Sequence, residues 1–233
     1  PLAARFYQRR LAVAWGQHAV ERTRQLFGQA LGYTPAEGLG DYGLDRGALG
    51  AEVATTPYVV LLHGTTWVTK HWPELYWRQL AEQLVAAGVE VRLPWGSLDE
   101  QARALRIAEG LQGAVVLPRL PLRDVARQLA GASACVAVDT GLGHLAAALD
   151  VPTLSLFGPT NPGFTGAYGA VQQHLASDFA CAPCLRKQCS YQPTPEDARR
   201  FDLTREQPLC FTRLNPDRVM QQLQPLLPNK RVL

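Results

Sequence analysis

Residues 136–149, VAVDTGLGHLAAAL, close an apolar run with Asp139, Thr140, Gly141, Leu142, Gly143 and His144 and pass straight into small alanines. Gly141 and Gly143 place no Cβ in the way of a ligand approaching the backbone. The first N–H groups of a helix starting there have no intrahelical partner, so they suit phosphate oxygens. A helix terminus contributes only about 0.3–1 kcal/mol at an exposed site, so tight phosphate binding also needs cations and hydroxyls. Thr65, Thr66 and Lys70, within HGTTWVTKHWP at 63–73, supply candidates. Asp139 does not fit a pure phosphate site, because a carboxylate repels phosphate; it suits hydroxyl or amine donors, of which a sugar has several. A nucleotide sugar meets both demands. Glu100, at the end of PWGSLDE (94–100), is placed to accept from ribose hydroxyls by analogy with the acidic residue of dinucleotide-binding folds, and Trp95 or Leu120 to flank a base.

Each of these residues has a plainer reading. Asp139 and Thr140 also suit a helix cap, Lys70 a solvated surface position, and Trp67, Trp72 and Trp77 packing rather than stacking. His144 serves either a backbone carbonyl or a ligand. CAPCLRKQC followed by Cys210 assembles four thiols, Cys181, Cys184, Cys189 and Cys210. Their spacing departs from paired CxxC ribbons, so free thiols are expected in preference to structural zinc, and no metal site or cofactor is assigned. Cys135 lies inside an apolar run and reads as core.

These loops need a scaffold that presents them on one rim. From residue 58 onward short β-branched runs alternate with segments of helical period, the signature of βαβ units and a parallel sheet. Strands are expected at 58–63, 89–93, 114–117, 134–138 and 153–157. Helices are expected at 73–87, 98–110, 122–131 and 142–149. The fold class is therefore α/β: a Rossmann-like parallel sheet with helices on both faces, and ligands beyond the carboxyl ends of the strands. Upstream, 17–31 reads as an amphipathic helix and 34–57 as a glycine-rich connector, a front piece unable to bury its own core. Downstream, 177–213 is rich in Cys, Pro and charge, and 216–227 reads as a closing helix. The division expected is 1–50 as part of a preceding domain with its connector, 51–176 as the nucleotide-sugar-binding domain, and 177–233 as the cysteine-containing segment and closing helix.

The chain has 233 residues, 47% hydrophobic and 18% charged, with a net charge of +3. That composition describes a packed globular domain and gives no argument for nucleic acid as a partner. No apolar run reaches the roughly 20 residues that span a bilayer, and no signal peptide opens the chain, so a cytoplasmic location is expected. Arg5, Arg9, Arg10, Arg22 and Arg24 face a single acid, Glu21, in the first segment, which suits either a solvated helix face or an acidic partner. The chain begins at Pro1 and its single methionine is Met220, so it reads as a fragment or a trimmed chain.

Four stretches, QHAVERTRQLFGQALGY (17–33), HGTTWVTKHWPELYW (63–77), LPWGSLDE (93–100) and VAVDTGLGHLAAALDVPTLSLFGPTNPG (136–163), together resemble the lipopolysaccharide heptosyltransferases of glycosyltransferase family 9. The first two loops look like the type I branch rather than type II. The resemblance implies the GT-B architecture, two Rossmann-like domains across a cleft, of which this chain is similar to the C-terminal donor domain plus part of the N-terminal one. It implies inverting transfer of L-glycero-D-manno-heptose from ADP-heptose to Kdo of Kdo2-lipid A, with no cofactor, at the cytoplasmic face of the inner membrane, where peripheral contact is expected. It assigns Thr65, Thr66 and Lys70 to the diphosphate and reacting region, Glu100 to the ribose, Asp139 to heptose hydroxyls, and Thr140, Gly141, Leu142 and His144 to the diphosphate. Lys70 then stabilises the leaving group. The family's general base is an aspartate in a segment outside this sequence, and no residue here is promoted to replace it, so the isolated chain is expected to bind ADP without turnover. Arg9 and Arg10 are assigned to steering the anionic acceptor. Other readings are another GT-B nucleotide-sugar transferase or epimerase, or a non-catalytic nucleotide- or anion-binding module. Residues 178–210 depart from the shortest type I enzymes.

Overall fold

A computed structural model describes residues 5–50 and 56–227; the last part of the connector, 51–55, lies outside them. Six parallel strands, β1 (Tyr58–Leu62), β2 (Glu90–Leu93), β3 (Ala114–Val116), β4 (Ala134–Val138), β5 (Thr153–Phe157) and β6 (Gln172–Ala176), form one sheet in the order β3-β2-β1-β4-β5-β6. The order reverses direction between β1 and β4, which pair in register from Val59↔Ala134 to Leu62↔Ala137. A doubly wound sheet opens its ligand crevice at such a point, beyond the carboxyl ends of the two strands.

Alternation along the strands builds two cores. Val59, Leu61, Val91, Leu93, Val136, Leu154 and Leu156 face one side. There they pack against α2 (Glu74–Ala86), α3 (Leu98–Ala108) and the closing helix, α6 (Pro216–Leu223). Tyr58, Val60, Leu62, Cys135 and Ala137 face the other side, against α4 (Leu122–Ala130) and α5 (Gly141–Ala148). β1, β4 and β5 are buried on both faces, so their sequences read as continuous apolar runs and were legible as such. The edge strand β6, QQHLA, is only partly buried and carries polar residues, and no strand was expected there.

The closing segment belongs to the first core. Phe179, Leu209, Phe211, Leu214, Val219 and Leu223 are buried with Trp72, Trp77 and Leu80. Trp72 Nε1 donates to the Leu214 carbonyl at 2.8 Å, Tyr76 donates to Glu206 at 2.6 Å, and Trp72 and Trp77 meet edge to face at 4.9 Å. At the other end α1 (Ala19–Leu31) buries only Gly28 and leaves Leu26, Phe27 and Leu31 exposed. It is fastened to the sheet domain by polar contacts: His18 to the Gly166 carbonyl at 3.0 Å, Glu21 to the Tyr168 hydroxyl, and Tyr42 to the Tyr168 carbonyl at 2.9 Å.

Candidate functional site

The loop between β4 and α5 puts Asp139 and Thr140 at the reversal of strand order. Thr140 is the N-cap of α5, yet its side chain makes no capping bond, so the competing reading of this pair as a cap is not what the geometry shows. The Gly143 N–H bonds to the Thr140 carbonyl at 3.1 Å, leaving the Gly141 and Leu142 amides as the ones directed outward from the helix start. The two glycines differ in purpose. A Cβ at Gly141 meets nothing within 4 Å, which is space for a ligand, whereas one at Gly143 would sit 3.3 Å from the Ala137 Cβ. Gly143 is therefore a packing residue that lets α5 lie close to β4, a correction to its expected role in ligand approach.

Lys70 is carried on a single 3-10 turn, Val68–Lys70, after β1. Its Nζ lies 2.7 Å from Asp139 Oδ2 and 4.4 Å from the centre of the Trp67 ring. The ammonium and the carboxylate, expected to serve different parts of a ligand, are thus paired with each other, and Thr160 Oγ1 donates to the same Oδ2 at 2.8 Å. Trp67 departs from the packing role expected of it and serves as a cation–π platform, while Trp72 and Trp77 are core. Thr65 Oγ1 donates to the Asp139 carbonyl at 3.0 Å, fixing the β1 loop to the β4 loop; Thr69 Oγ1 donates to the Arg186 carbonyl at 2.6 Å, fixing the Lys70 turn to the cysteine-bearing segment.

An open cavity of about 990 Å3 runs along this rim. Thr65, Thr66, Lys70, Glu100, Leu120, Asp139, Thr140, Gly141, Leu142 and His144 all line it, as does Trp95. Trp95 is held in place by donation from Nε1 to the Leu117 carbonyl at 2.6 Å. Glu100 is already in use: its Oε2 accepts from the Gly96 and Ser97 amides at 2.8 and 3.1 Å, and Ser97 Oγ accepts from the Glu100 amide, a capping box that starts α3. Its Oε1 lies beside Gly64, where an added Cβ would come within 2.3 Å. His144 presents its ring at the cavity edge; crowding by protein lowers its pKa, partly opposed by the Asp139 carboxylate.

Sequence reasoning missed a half-buried strut behind these loops. Arg103 of α3 reaches the His63 carbonyl at 3.4 Å and His71 Nδ1 at 2.7 Å, so one guanidinium joins the helix that carries Glu100 to the turn that carries Lys70. Burial and Arg103 both lower the His71 pKa, which keeps its ring neutral and able to accept. Arg103→Ala is expected to weaken ADP binding about tenfold in titration calorimetry, about 1.4 kcal/mol. His71→Gln, which retains an acceptor, is expected to stay close to the parent, and His71→Leu to fall with Arg103→Ala.

His63 ends β1 fully buried, with neither ring nitrogen in a hydrogen bond. Burial first, and Arg103 second, lower its pKa to about 4, against weaker opposition from Glu100 and the Pro94 carbonyl. The folded state therefore resists a proton that the unfolded state accepts from about pH 6.5 downward. Stability falls as the pH drops from 6.5 to 4, by on the order of 3 kcal/mol for this residue. Urea midpoints across that range are expected to decline steeply for the parent and less steeply for His63→Gln. A slope remains from His71, His144 and His174, whose pKa values are shifted the same way.

Other expected residues lie elsewhere. Arg9 donates to the Ala30 carbonyl at 2.9 Å at the end of α1, and neither Arg9 nor Arg10 lines the cavities at the sheet rim. The five cysteines are free thiols, Cys135 and Cys210 buried; among the described residues no three His, Cys, Asp or Glu side chains are arranged to hold a metal ion. No helix of the described residues is long and apolar enough to cross a membrane.

The sequence model of Glycosyltransferase family 9 (heptosyltransferase) matches residues 1–194. This chain belongs to glycosyltransferase family 9. It is 70% identical over 227 residues to lipopolysaccharide heptosyltransferase 1 of Pseudomonas aeruginosa, covering 97% of this chain and 64% of that protein. It is 50% identical over 178 residues to the protein of the same name from Salmonella typhimurium, covering 76% of this chain and 56% of that one. The structure of E. coli heptosyltransferase WaaC with ADP superposes with a TM-score of 0.74 at 38% identity, over 97% of this chain and 62% of that chain. The same enzyme with ADP-2-deoxy-2-fluoro heptose gives 0.71 at 37%. This family 9 chain thus spans a little under two thirds of the length of these relatives.

Proposed function

We propose that this chain supplies the donor site of an inverting heptosyltransferase that transfers L-glycero-D-manno-heptose from ADP-heptose to Kdo of Kdo2-lipid A in lipopolysaccharide inner-core synthesis. One observation carries the reading: Lys70 and Asp139 are paired at the uncapped start of α5, on the wall of a cavity large enough for a nucleotide sugar. A relative named lipopolysaccharide heptosyltransferase 1, and the structures of heptosyltransferase WaaC with ADP and with ADP-2-deoxy-2-fluoro heptose, support it.

In this reading the base lies against Trp95 and Leu120, the ribose against Glu100, and the diphosphate against the Gly141 and Leu142 amides, Thr65, Thr66 and Lys70. Breaking the anomeric bond builds negative charge on the departing ADP. The fixed amides and the ammonium are oriented toward that charge before it forms, so they need little reorganisation as it develops. Asp139 holds Lys70 in position and offers its remaining acceptor capacity to sugar hydroxyls. With Oδ2 engaged by both Lys70 and Thr160, it is not assigned as the base that deprotonates the acceptor. That base is placed in the part of the enzyme that faces this rim, and the chain alone binds ADP without turnover. Placement on the cytoplasmic face of the inner membrane, where such an acceptor is presented, belongs to the same proposal.

Titration calorimetry of the chain with ADP and with ADP-heptose is the direct test. Binding of both in competition, with no transfer by the chain alone, is the expected result; absence of ADP binding overturns the donor-site assignment, and robust transfer overturns the placement of the base.

A further inference from the structure

The loop after β5 carries a residue that neither the sequence pattern nor the donor reading assigns to transfer. Thr160, 7% exposed, donates from Oγ1 to Asp139 Oδ2 at 2.8 Å, the same oxygen that lies 2.7 Å from the Lys70 ammonium. A carboxylate offers about four acceptor positions on its two oxygens. Here both protein donors converge on one oxygen, and no hydrogen bond among the described residues reaches Oδ1. The Asp139 side chain is only 9% exposed and lines the cavity, so Oδ1 is an acceptor withdrawn from bulk water whose partner has to come from the cavity.

Lys70 by itself does not impose that choice. An ammonium has rotatable donors on a flexible stem and pairs with either oxygen of a carboxylate as a point charge. A hydroxyl on a β-branched side chain has one proton and a stiff χ1, so its direction follows the backbone that carries it. That backbone is fixed in turn. The Pro159 carbonyl, one residue before Thr160, accepts from the Leu185 amide at 2.8 Å, while the Arg186 carbonyl accepts from Thr69, one residue before Lys70, at 2.6 Å. Two consecutive residues of the cysteine-bearing segment thus hold both arms of the clamp on Asp139. At the start of the loop Gly158 lies so close to Cys210 and Phe211 that an added Cβ would come within 2.9 Å of either.

We propose that Thr160 is a positioning residue for the transfer reaction: it selects Oδ2 as the oxygen that faces Lys70, and so commits Oδ1 to a hydroxyl of the sugar being transferred. The inference rests on the donor reading, since it takes that sugar to lie against Asp139. Thr160 itself touches neither sugar nor diphosphate; it acts through Asp139. The last torsion of an aspartate side chain is soft. Without the Thr160 hydroxyl the carboxylate is free to turn and offer both oxygens to the ammonium, and the sugar loses the acceptor that orients its anomeric carbon against the departing diphosphate.

The test uses the full-length protein and compares Thr160→Val, which keeps the shape and removes the hydroxyl, with Thr160→Ser, which keeps the hydroxyl. Thr160→Val is expected to lower kcat/KM for ADP-heptose about tenfold, while the Kd for ADP, which lacks the transferred sugar, changes less than about twofold and reports a folded site. Thr160→Ser is expected to stay within about threefold of the parent by the same measure. In an Asp139→Ala background, Thr160→Val is expected to add less than about twofold, because the residue it acts through is already gone. A parental kcat/KM in Thr160→Val, a loss in Thr160→Ser as large as that in Thr160→Val, a loss that persists undiminished in the Asp139→Ala background, or an equal weakening of ADP itself overturns the assignment. Failure of the parent to bind ADP is a different result, and it removes the donor reading instead.

Discussion

Replacing Lys70 with alanine is expected to lower kcat of the full-length transferase by about 100- to 1000-fold, the range found when one preorganised donor to developing negative charge is removed. Lys70 lies on the wall of the cavity at the sheet rim, 2.7 Å from Asp139, with both side chains largely shielded from water. In the proposed donor site, truncating it removes the positive charge assigned to the departing diphosphate and leaves a shielded carboxylate without its cation, facing phosphate oxygens that it repels. The loss is therefore expected in both kcat and the Kd for ADP. Asp139→Asn is predicted to be milder for ADP, because the cation survives, and more damaging for transfer, because Lys70 loses the group that aims it. The double substitution Lys70→Ala with Asp139→Asn is expected to cost less than the sum of the two, since each residue acts through the other. Steady-state kinetics with calorimetry on the four proteins checks this; strict additivity would show that the pair does not act as a unit.

The largest expected effect on stability comes from Trp77→Ala, at about 3–5 kcal/mol. Trp77 is fully buried in the core that joins the sheet to the closing segment, edge to face with Trp72. Its Nε1 has no hydrogen-bond partner, so the substitution strands no acceptor and the loss is that of packing and apolar burial. Against a total of about 5–15 kcal/mol for a domain, it takes roughly a fifth or more of the margin, and a chain of this length should melt roughly 6–20 °C lower. Trp72→Phe acts by another route, leaving the buried Leu214 carbonyl without the donor it now has at 2.8 Å. Trp67→Ala, at the cavity, is expected to leave the melting temperature within a few degrees of the parent. Thermal melts of the three variants separate these cases, and a Trp77→Ala protein as stable as the parent would overturn the account of this core.

Much of the scaffold could be read from residue pattern because burial on both faces of a parallel sheet leaves a continuous apolar signature, as in Tyr58–Leu62 and Thr153–Phe157. β6 escaped for the opposite reason: an edge strand answers to one neighbour and can be polar. At the site, the sequence identified residues that line the cavity but not how they bind one another. Nothing in the spacing of Lys70 and Asp139 announces an ion pair across 69 positions. Ser97 and Glu100 stand at capping-box spacing, a legible local signal that the ribose assignment obscured. Thr160 and Asn161 lay within a stretch already singled out, yet only the fold brings them beside Asp139. Arg103 and His71 act through contacts between separate elements, which local periodicity does not encode.

The hydrogen bond from Thr69 to the Arg186 carbonyl ties the turn beneath the lysine to a stretch absent from the sequence pattern of the sheet itself. An engineer seeking a minimal chain by excising that stretch would be removing a brace from the turn that carries Lys70, not trimming ornament. A shortened design must rebuild the support from another direction, with a new acceptor for the Thr69 hydroxyl, before its turnover can be compared with that of the parent.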